Sequence, residues 1–313
     1  MARILITHGI PAEGFSALHQ HELILPAPLC AFSEEELMQH IVSADAVVAG
    51  GKLPGHVIAA AKKLKIIANY GAGYDGVDIR AAFERGIPVT NIPDTVTQST
   101  SELALALMLS VSRRVGELNL RLRKEVPETL FGMGLNMGRC LHGQALGIIG
   151  CGRIGAQVAR LAKAFGMRVL GYDPVHVDEA LFTPCSFAEI LQQADIVSLH
   201  CPLTEKTRAL IDANAFAQMK PGAILINTAR GGVVDYDALT QALCENHLAG
   251  AGLDVYPDEP HIPSALLRDE RVVCTPHIGA NTEQTRYAMA EACAKQILDA
   301  LSGKRPENIV NGL

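Results

Sequence analysis

No uninterrupted apolar run in this 313-residue chain approaches the ~20 residues that a membrane-spanning helix needs. The start, Met1-Ala2-Arg3-Ile4-Leu5-Ile6, leads straight into a strand pattern and lacks the apolar core and small-residue cleavage site of a secretory signal. There is no excess of positive charge either. Against 27 Lys and Arg stand 33 Asp and Glu, a formal net charge of −6, which argues against a nucleic-acid or anionic-membrane partner. Eight cysteines (30, 140, 151, 185, 201, 244, 274 and 293) form no C-x-x-C pair, and several sit in apolar segments where Cys packs as a small hydrophobe. That excludes a disulfide framework and points to a reducing, cytoplasmic setting. Among eleven histidines the only close pair, His19-x-His21, has no clustered partners, so no metal site is expected. Repeats and low-complexity segments are absent as well.

What is present is enough chain for about two domains. Its organising stretch is Leu146–Gly155. The apolar run Ala145, Leu146, Ile148, Ile149 reads as a buried parallel strand, and it runs into Gly150-Cys151-Gly152-Arg153-Ile154-Gly155. Ala156 to Phe165 then has the 3.6-residue apolar period of a helix. In this G-x-G-x-x-G, Gly150 makes the tight turn, Gly152 admits a pyrophosphate to the backbone, and Gly155 lets helix and strand pack closely. The phosphates would sit on the unpaired N–H groups at the positive end of the helix. A second strand, Arg168–Tyr172, ends at Asp173, where a carboxylate is needed to accept hydrogen bonds from the adenosine ribose.

The flanking chain alternates strand and helix, which implies parallel sheets covered by helices. Ile4–Thr7, Leu23–Leu25, Ala46–Ala49, Ile66–Asn69 and Val89–Ile92 read as strands, with helices opening at Ser33, Gly55 and Asp78. Ser99-Thr100-Ser101-Glu102 has the form of a capping box launching a long, nearly all-apolar helix through Val111, of the kind buried between domains or subunits. Residues 117–143 are charged, then glycine-rich, and read as an irregular connection. Strands then follow at Ile196–His200, Ala223–Thr228, Ala249–Val255 and Val272–Thr275, and a last helix runs from Asn281 to Leu301. The chain should enter a nucleotide domain near residue 100 and leave it near 280.

Three strand-end segments carry polar residues that packing does not require: Asn227–Gly232 with Arg230, Gly252–Pro260 with Asp254 and Glu259, and Cys274–Gly279 with His277. Ligands of open α/β sheets bind at the carboxyl ends of strands. An enzyme reducing a 2-oxo acid needs a cation for the carboxylate, an acid to protonate the developing alkoxide, and a carboxylate to keep that acid protonated near neutral pH. Arg230, His277 and Glu259 are of those types.

Together these segments resemble the D-isomer-specific 2-hydroxyacid dehydrogenases nearly end to end. The matching pieces are Asn69–Asp78, Leu146–Gly155, Leu199–Thr204, Asn227–Gly232, Gly252–Pro260 and Thr275–Gly279. The resemblance implies two Rossmann-like parallel-sheet domains, a flavodoxin-like substrate domain (1–99 and 281–313) with an inserted NAD-binding domain (100–280). It implies Arg230 as substrate clamp, Glu259 as partner and His277 as general acid/base. Backbone around Ala72-Gly73 would meet the substrate carboxylate. Asp254 would lie by the nicotinamide carboxamide, with Cys201-Pro202 and Thr228-Ala229 along the cofactor. The expected assembly is a homodimer joined through residues 100–143. The chain departs from many relatives in having no tryptophan and from phosphoglycerate-specific ones in having Asn69 where they carry Arg.

The expectation is an NAD-dependent reductase of a small 2-oxo acid of the glyoxylate or hydroxypyruvate kind. D-3-phosphoglycerate dehydrogenase, to which Lys52 lends only weak support, and a dinucleotide-sensing protein like the C-terminal-binding-protein corepressors are the alternatives. Short-chain dehydrogenases need Tyr-x-x-x-Lys, which none of the six tyrosines provides. Methyltransferases have no use for the Arg–Glu–His set, and formate dehydrogenases pair the histidine with glutamine. The residues after Asp173 supply no Arg or Lys for a 2′-phosphate, so NADH should be preferred over NADPH.

Overall fold

Short runs of Ile, Val, Leu and Ala form the strands, because a strand covered by helices on both faces has no solvated side for polar residues. The computed structural model describes residues 1–124 and 126–313. The chain divides into two units, Met1–Val96 with Ala280–Leu313, and Thr97–Gly279.

The first unit is built from β1 (Arg3–Ile6), β2 (Glu22–Ile24), α1 (Glu34–Ile41), β3 (Ala46–Ala49), α2 (Gly55–Ala60), β4 (Ile66–Asn69), α3 (Ile79–Glu84) and β5 (Val89–Thr90). Its five strands are all parallel in the order β2-β1-β3-β4-β5, the flavodoxin-like arrangement. Ser33-Glu34-Glu35-Glu36 has the S-x-x-E form of a capping box and closes as one: Ser33 Oγ accepts from the Glu36 N–H while the Glu36 carboxylate accepts from the Ser33 N–H at 2.7 Å.

The second unit runs α4 (Thr97–Ser112), α5 (Val115–Lys124), β6 (Ala145–Ile149), α6 (Arg153–Ala164), β7 (Arg168–Tyr172), β8 (Thr183–Pro184), α7 (Phe187–Gln193) and β9 (Ile196–Leu199). It continues with α8 (Ala213–Gln218), β10 (Ala223–Asn227), α9 (Tyr236–Cys244), β11 (Leu248–Leu253), α10 (Ser264–Arg268) and β12 (Val272–Cys274). Seven parallel strands lie in the order β12-β11-β10-β9-β6-β7-β8. Strand order reverses between β6 and β9, so the G-x-G-x-x-G turn after β6 stands at the switch point where doubly wound sheets bind ligands. The chain then returns to the first unit as α11 (Glu283–Leu301), capped by Thr282 and packed on the Ala12–Leu18 turns and β4.

Three local expectations are corrected. The Ser99–Glu102 pattern is not a capping box, because α4 already begins at Thr97 and the Ser101 hydroxyl donates back to the Gln98 carbonyl at 2.7 Å. Ser99, Thr100 and Ser101 are buried, and tertiary packing there outweighs the capping preference of their hydroxyls. Residues 117–143 are not irregular throughout, since α5 occupies Val115–Lys124. Glu117 makes it a helix: its carboxylate takes the Arg114 guanidinium three residues before and Arg121 four residues after, while Arg121, Arg123 and Lys124 complement the helix C-terminus. Finally, α6 starts at Arg153 rather than Ala156, so Gly155 lies inside its first turn.

Candidate active site

The turn after β6 is shaped by its glycines. Gly150 adopts φ +97°, and a Cβ there would stand 2.5 Å from the Cys201 nitrogen. A Cβ on Gly155 would stand 2.1 Å from the Gly150 carbonyl oxygen, so strand and helix can approach this closely only with glycine. Gly152, the N-cap of α6, differs. A Cβ there would meet nothing within 4 Å, and no side chain caps the helix. The positive end of this twelve-residue helix is thus left without a side-chain cap. Arg153 and Ile154 form the first turn, with Ile154 half-buried against the core. Asp173, at the end of β7, accepts the Cys151 N–H at 3.0 Å on one oxygen and the Val175 N–H at 2.9 Å on the other. It therefore ties the turn to the neighbouring strand end.

On the other side of the switch point, Cys201-Pro202 follow β9 and Thr228-Ala229 follow β10. Two buried polar atoms there, His200 Nδ1 and Thr228 Oγ1, have no hydrogen-bond partner among the described residues. His200 Nε2 pairs with Ser198 Oγ at 2.8 Å, and burial pushes its imidazole down to about 4, so it is neutral at pH 7. Burial likewise pushes the Cys151 thiol up to about 12 and Cys201 up to about 11; both are inert neutral thiols. An open helix N-terminus and orphaned buried polar atoms on adjoining strand ends fit a dinucleotide.

The three charged candidates come together within this unit. His277 Nδ1 lies 2.8 Å from Glu259 Oε2, and Glu259 Oε1 accepts the Tyr256 N–H at 3.0 Å. Burial alone would raise the Glu259 carboxyl. The hydrogen bonds from His277 and Tyr256, with the charges of His277 and Arg230, outweigh it and hold the group below its ordinary value. Arg230 follows β10 in extended conformation, its Nη1 donating to the Ala229 carbonyl at 2.7 Å. The Asn227 side chain fixes that turn, donating to the Arg230 carbonyl and accepting the Ala229 N–H, each at 3.0 Å.

His277 has φ +52°, a left-handed conformation that a side chain rarely adopts and that must be held from outside. Asp254, at the end of β11, holds it. Its carboxylate, 1% exposed, accepts the Thr275 hydroxyl at 2.6 Å and the N–H groups of Ile278 and Gly279, each at 2.8 Å. Burial raises the Asp254 carboxyl from its ordinary value despite these donors.

In the first unit, Ala72 and Gly73 lie in the loop after β4. The Asn69 side-chain amide donates to the carbonyls of Gly71 at 3.0 Å and Gly73 at 2.9 Å, and that of Asn91 to the Ala72 carbonyl at 2.7 Å.

Residues 105–279 match the family model described as "D-isomer specific 2-hydroxyacid dehydrogenase, NAD binding domain". The chain belongs to the D-isomer-specific 2-hydroxyacid dehydrogenases. It is 39% identical to a glyoxylate reductase of Korarchaeum cryptofilum, over 99% of this chain and 96% of that one. It is 38% identical to a D-3-phosphoglycerate dehydrogenase of Methanocaldococcus jannaschii, over 99% of this chain but 60% of the longer relative. The solved structure of an NADPH-dependent glyoxylate/hydroxypyruvate reductase from Sinorhizobium meliloti, in complex with NADP and malonate, superposes with a TM-score of 0.88 at 30% identity, covering 99% and 96% of the two chains.

As a 2-hydroxyacid dehydrogenase, the enzyme is an NAD(P)-dependent oxidoreductase. Sequence reasoning named Arg230, Glu259, His277 and Asp254, but gave Asp254 no part in bracing the His277 loop. It gave His200, which lies in the matching piece Leu199–Thr204, no role, and it gave none to Asn91. Their signal is only that a buried polar residue sits one or two positions beyond a strand, which many loops share.

Proposed function

We propose that this dehydrogenase reduces small 2-oxo acids of the glyoxylate and hydroxypyruvate kind with NADH, with Arg230, Glu259 and His277 as its catalytic set. The observation that carries this reading is the 2.8 Å pairing of His277 Nδ1 with Glu259 Oε2. A carboxylate on Nδ1 fixes the ring and leaves Nε2 on the opposite edge to give a proton to the substrate oxygen. Arg230 holds the substrate carboxylate and polarises the carbonyl. Bound nicotinamide supplies the hydride to the carbonyl carbon. Gly150, Gly152, Arg153, Ile154 and Gly155 receive the pyrophosphate, Asp173 the adenosine ribose. Cys201, Pro202, Thr228, Ala229 and Asp254 line the rest of the cofactor.

The Met1–Val96 unit with its C-terminal return is the substrate domain, and Thr97–Gly279 the NAD-binding domain. NADH is favoured because Asp173 presents a carboxylate where NADPH carries a phosphate, and residues 174–179 hold no Arg or Lys. A phosphorylated substrate is disfavoured, since Asn69 offers an amide, already engaged by Gly71 and Gly73, rather than a cation. A homodimer through residues 100–143 is supported by the apolar side chains exposed there, among them Leu120, Leu122, Phe131, Met133 and Met137. The setting is the cytoplasm.

The test is steady-state reduction of a panel of 2-oxo acids, including 3-phosphohydroxypyruvate, with NADH and NADPH. Glyoxylate and hydroxypyruvate with NADH should give the highest kcat/KM. No turnover with any member would leave a dinucleotide-sensing protein as the better reading, and parity of NADPH with NADH would refute the cofactor assignment.

A further inference from the structure

Three consecutive carbonyls in the loop after β4 are held by side chains. Asn69 Nδ2 donates to Gly71 and Gly73, Asn91 Nδ2 to Ala72, and the Ile92 N–H also donates to Gly71 at 3.1 Å. The donors sit at the ends of two neighbouring strands, since Asn69 closes β4 and Asn91 follows β5. In a planar trans peptide the C=O of one residue and the N–H of the next point in opposite directions. Drawing the carbonyls of Gly71, Ala72 and Gly73 toward the strand ends therefore turns the N–H groups of Ala72, Gly73 and Tyr74 away from them. Those three N–H groups have no hydrogen-bond partner among the described residues of the unit, and Gly73 is exposed. Successive outward N–H groups form an anion-binding concavity.

We infer that Asn69 and Asn91 are positioning residues that aim the Ala72, Gly73 and Tyr74 N–H groups at the carboxylate of the 2-oxo acid. This rests on the reading of the enzyme as a 2-oxo acid reductase. Each asparagine acts as a spacer of fixed length: buried and bonded only to main-chain oxygen, it sets the tilt of the peptide planes without touching substrate. A dedicated amide is needed because a glycine-rich loop leaves those planes free to rotate. Two amides on three carbonyls also make the loop a unit, so losing either loosens all three N–H groups.

The experiment compares wild type, Asn69→Ala, Asn91→Ala and the double variant. It measures KM and kcat for glyoxylate, the Ki of oxamate with saturating NADH, the Kd of NADH, and Tm. A carboxylate is bound alike in ground and transition states, so each single variant should raise KM and the oxamate Ki by about tenfold with kcat and the NADH Kd nearly unchanged. The double variant should fall short of the product of the two. A purely structural role would instead lower Tm and kcat at constant KM and Ki, and that pattern overturns the inference. If wild type reduces no 2-oxo acid, the functional reading fails and the oxamate titration decides alone. Weaker oxamate binding in the variants upholds the cradle, and no binding to wild type overturns both. Should Asn69→Ala not fold, Asn91→Ala, whose side-chain amide donates to the Ala72 carbonyl, carries the test.

Discussion

The two parallel sheets follow the same winding rule and present different kinds of groups at their strand ends. In the seven-stranded sheet the strand ends deliver charged side chains: Arg230 after β10, Glu259 in the loop after β11, His277 after β12. In the five-stranded sheet the loop after β4 delivers backbone, and its side chains are spent on holding that backbone still. Moving a proton needs a group that titrates, and a group that titrates must be oriented and electrostatically tuned. Gripping a carboxylate needs no group that titrates near neutral pH, only fixed donors, whether N–H dipoles or a guanidinium. The same fold geometry serves either end because ligands meet only the strand-end loops.

The largest expected effect breaks the titrating end of that contrast. His277→Ala should lower kcat by about 10²–10⁴ while the NADH Kd measured by fluorescence titration stays near that of wild type. A kcat within a few-fold of wild type would remove His277 from the chemistry. Next comes Arg230→Ala, expected to cost on the order of 10² in kcat/KM, with both kcat and KM affected, because the guanidinium serves binding and carbonyl polarisation together. A change confined to KM would reduce Arg230 to a binding residue.

Glu259→Gln sharpens the comparison through ring orientation. Glu259 Oε2 holds His277 Nδ1 at 2.8 Å, so the variant should lower kcat while the NADH Kd stays near that of wild type. A kcat equal to that of wild type would sink the pairing as an orienting device. Stability has its own sign. Glu259 is held below its ordinary value in the folded enzyme. It therefore contributes stability that is present above its unfolded-state value of about 4.3 and is lost as pH falls through the lower folded value. Acid unfolding of Glu259→Gln should show less of that loss.

The smallest effects separate two glycines in one motif. Gly155→Ala forces a methyl into the Gly150 carbonyl and should lower Tm. Gly152→Ala meets open space, so its Tm should hold while NADH binding weakens. An NADH Kd unchanged in Gly152→Ala would mean that the open space at Gly152 is not where the dinucleotide approaches.

Much of this was legible because it is local. The runs at Ile4, Val47, Ile66 and Ile148 became strands at nearly the expected limits, and Ser33 and Ser186 close capping boxes that a four-residue pattern predicts. The identical pattern at Ser99 failed. There the helix start is set by what buries Ser99, Thr100 and Ser101, and burial is not written in four residues. The helix at Val115–Lys124 escaped notice because its support is a charge pattern, Arg114–Glu117–Arg121, rather than a buried apolar stripe, Glu117 being the residue it buries.

The sequence by itself determined most of the strands and helices and the glycine turn at the switch point, and it named Arg230, Glu259 and His277 as candidates. These follow from residue type and short spacing, which act within a few residues of chain. Only the tertiary structure decided that Glu259 and His277, eighteen residues apart, meet at 2.8 Å. It alone decided that Asp254 bridges to Gly279 to hold His277 at φ +52°, and that Asn69 and Asn91 converge on one loop from neighbouring strands. The reason is loop closure. Each of these contacts joins segments whose approach is fixed by sheet order, and sheet order is settled by burying the whole core rather than by any one residue's preference.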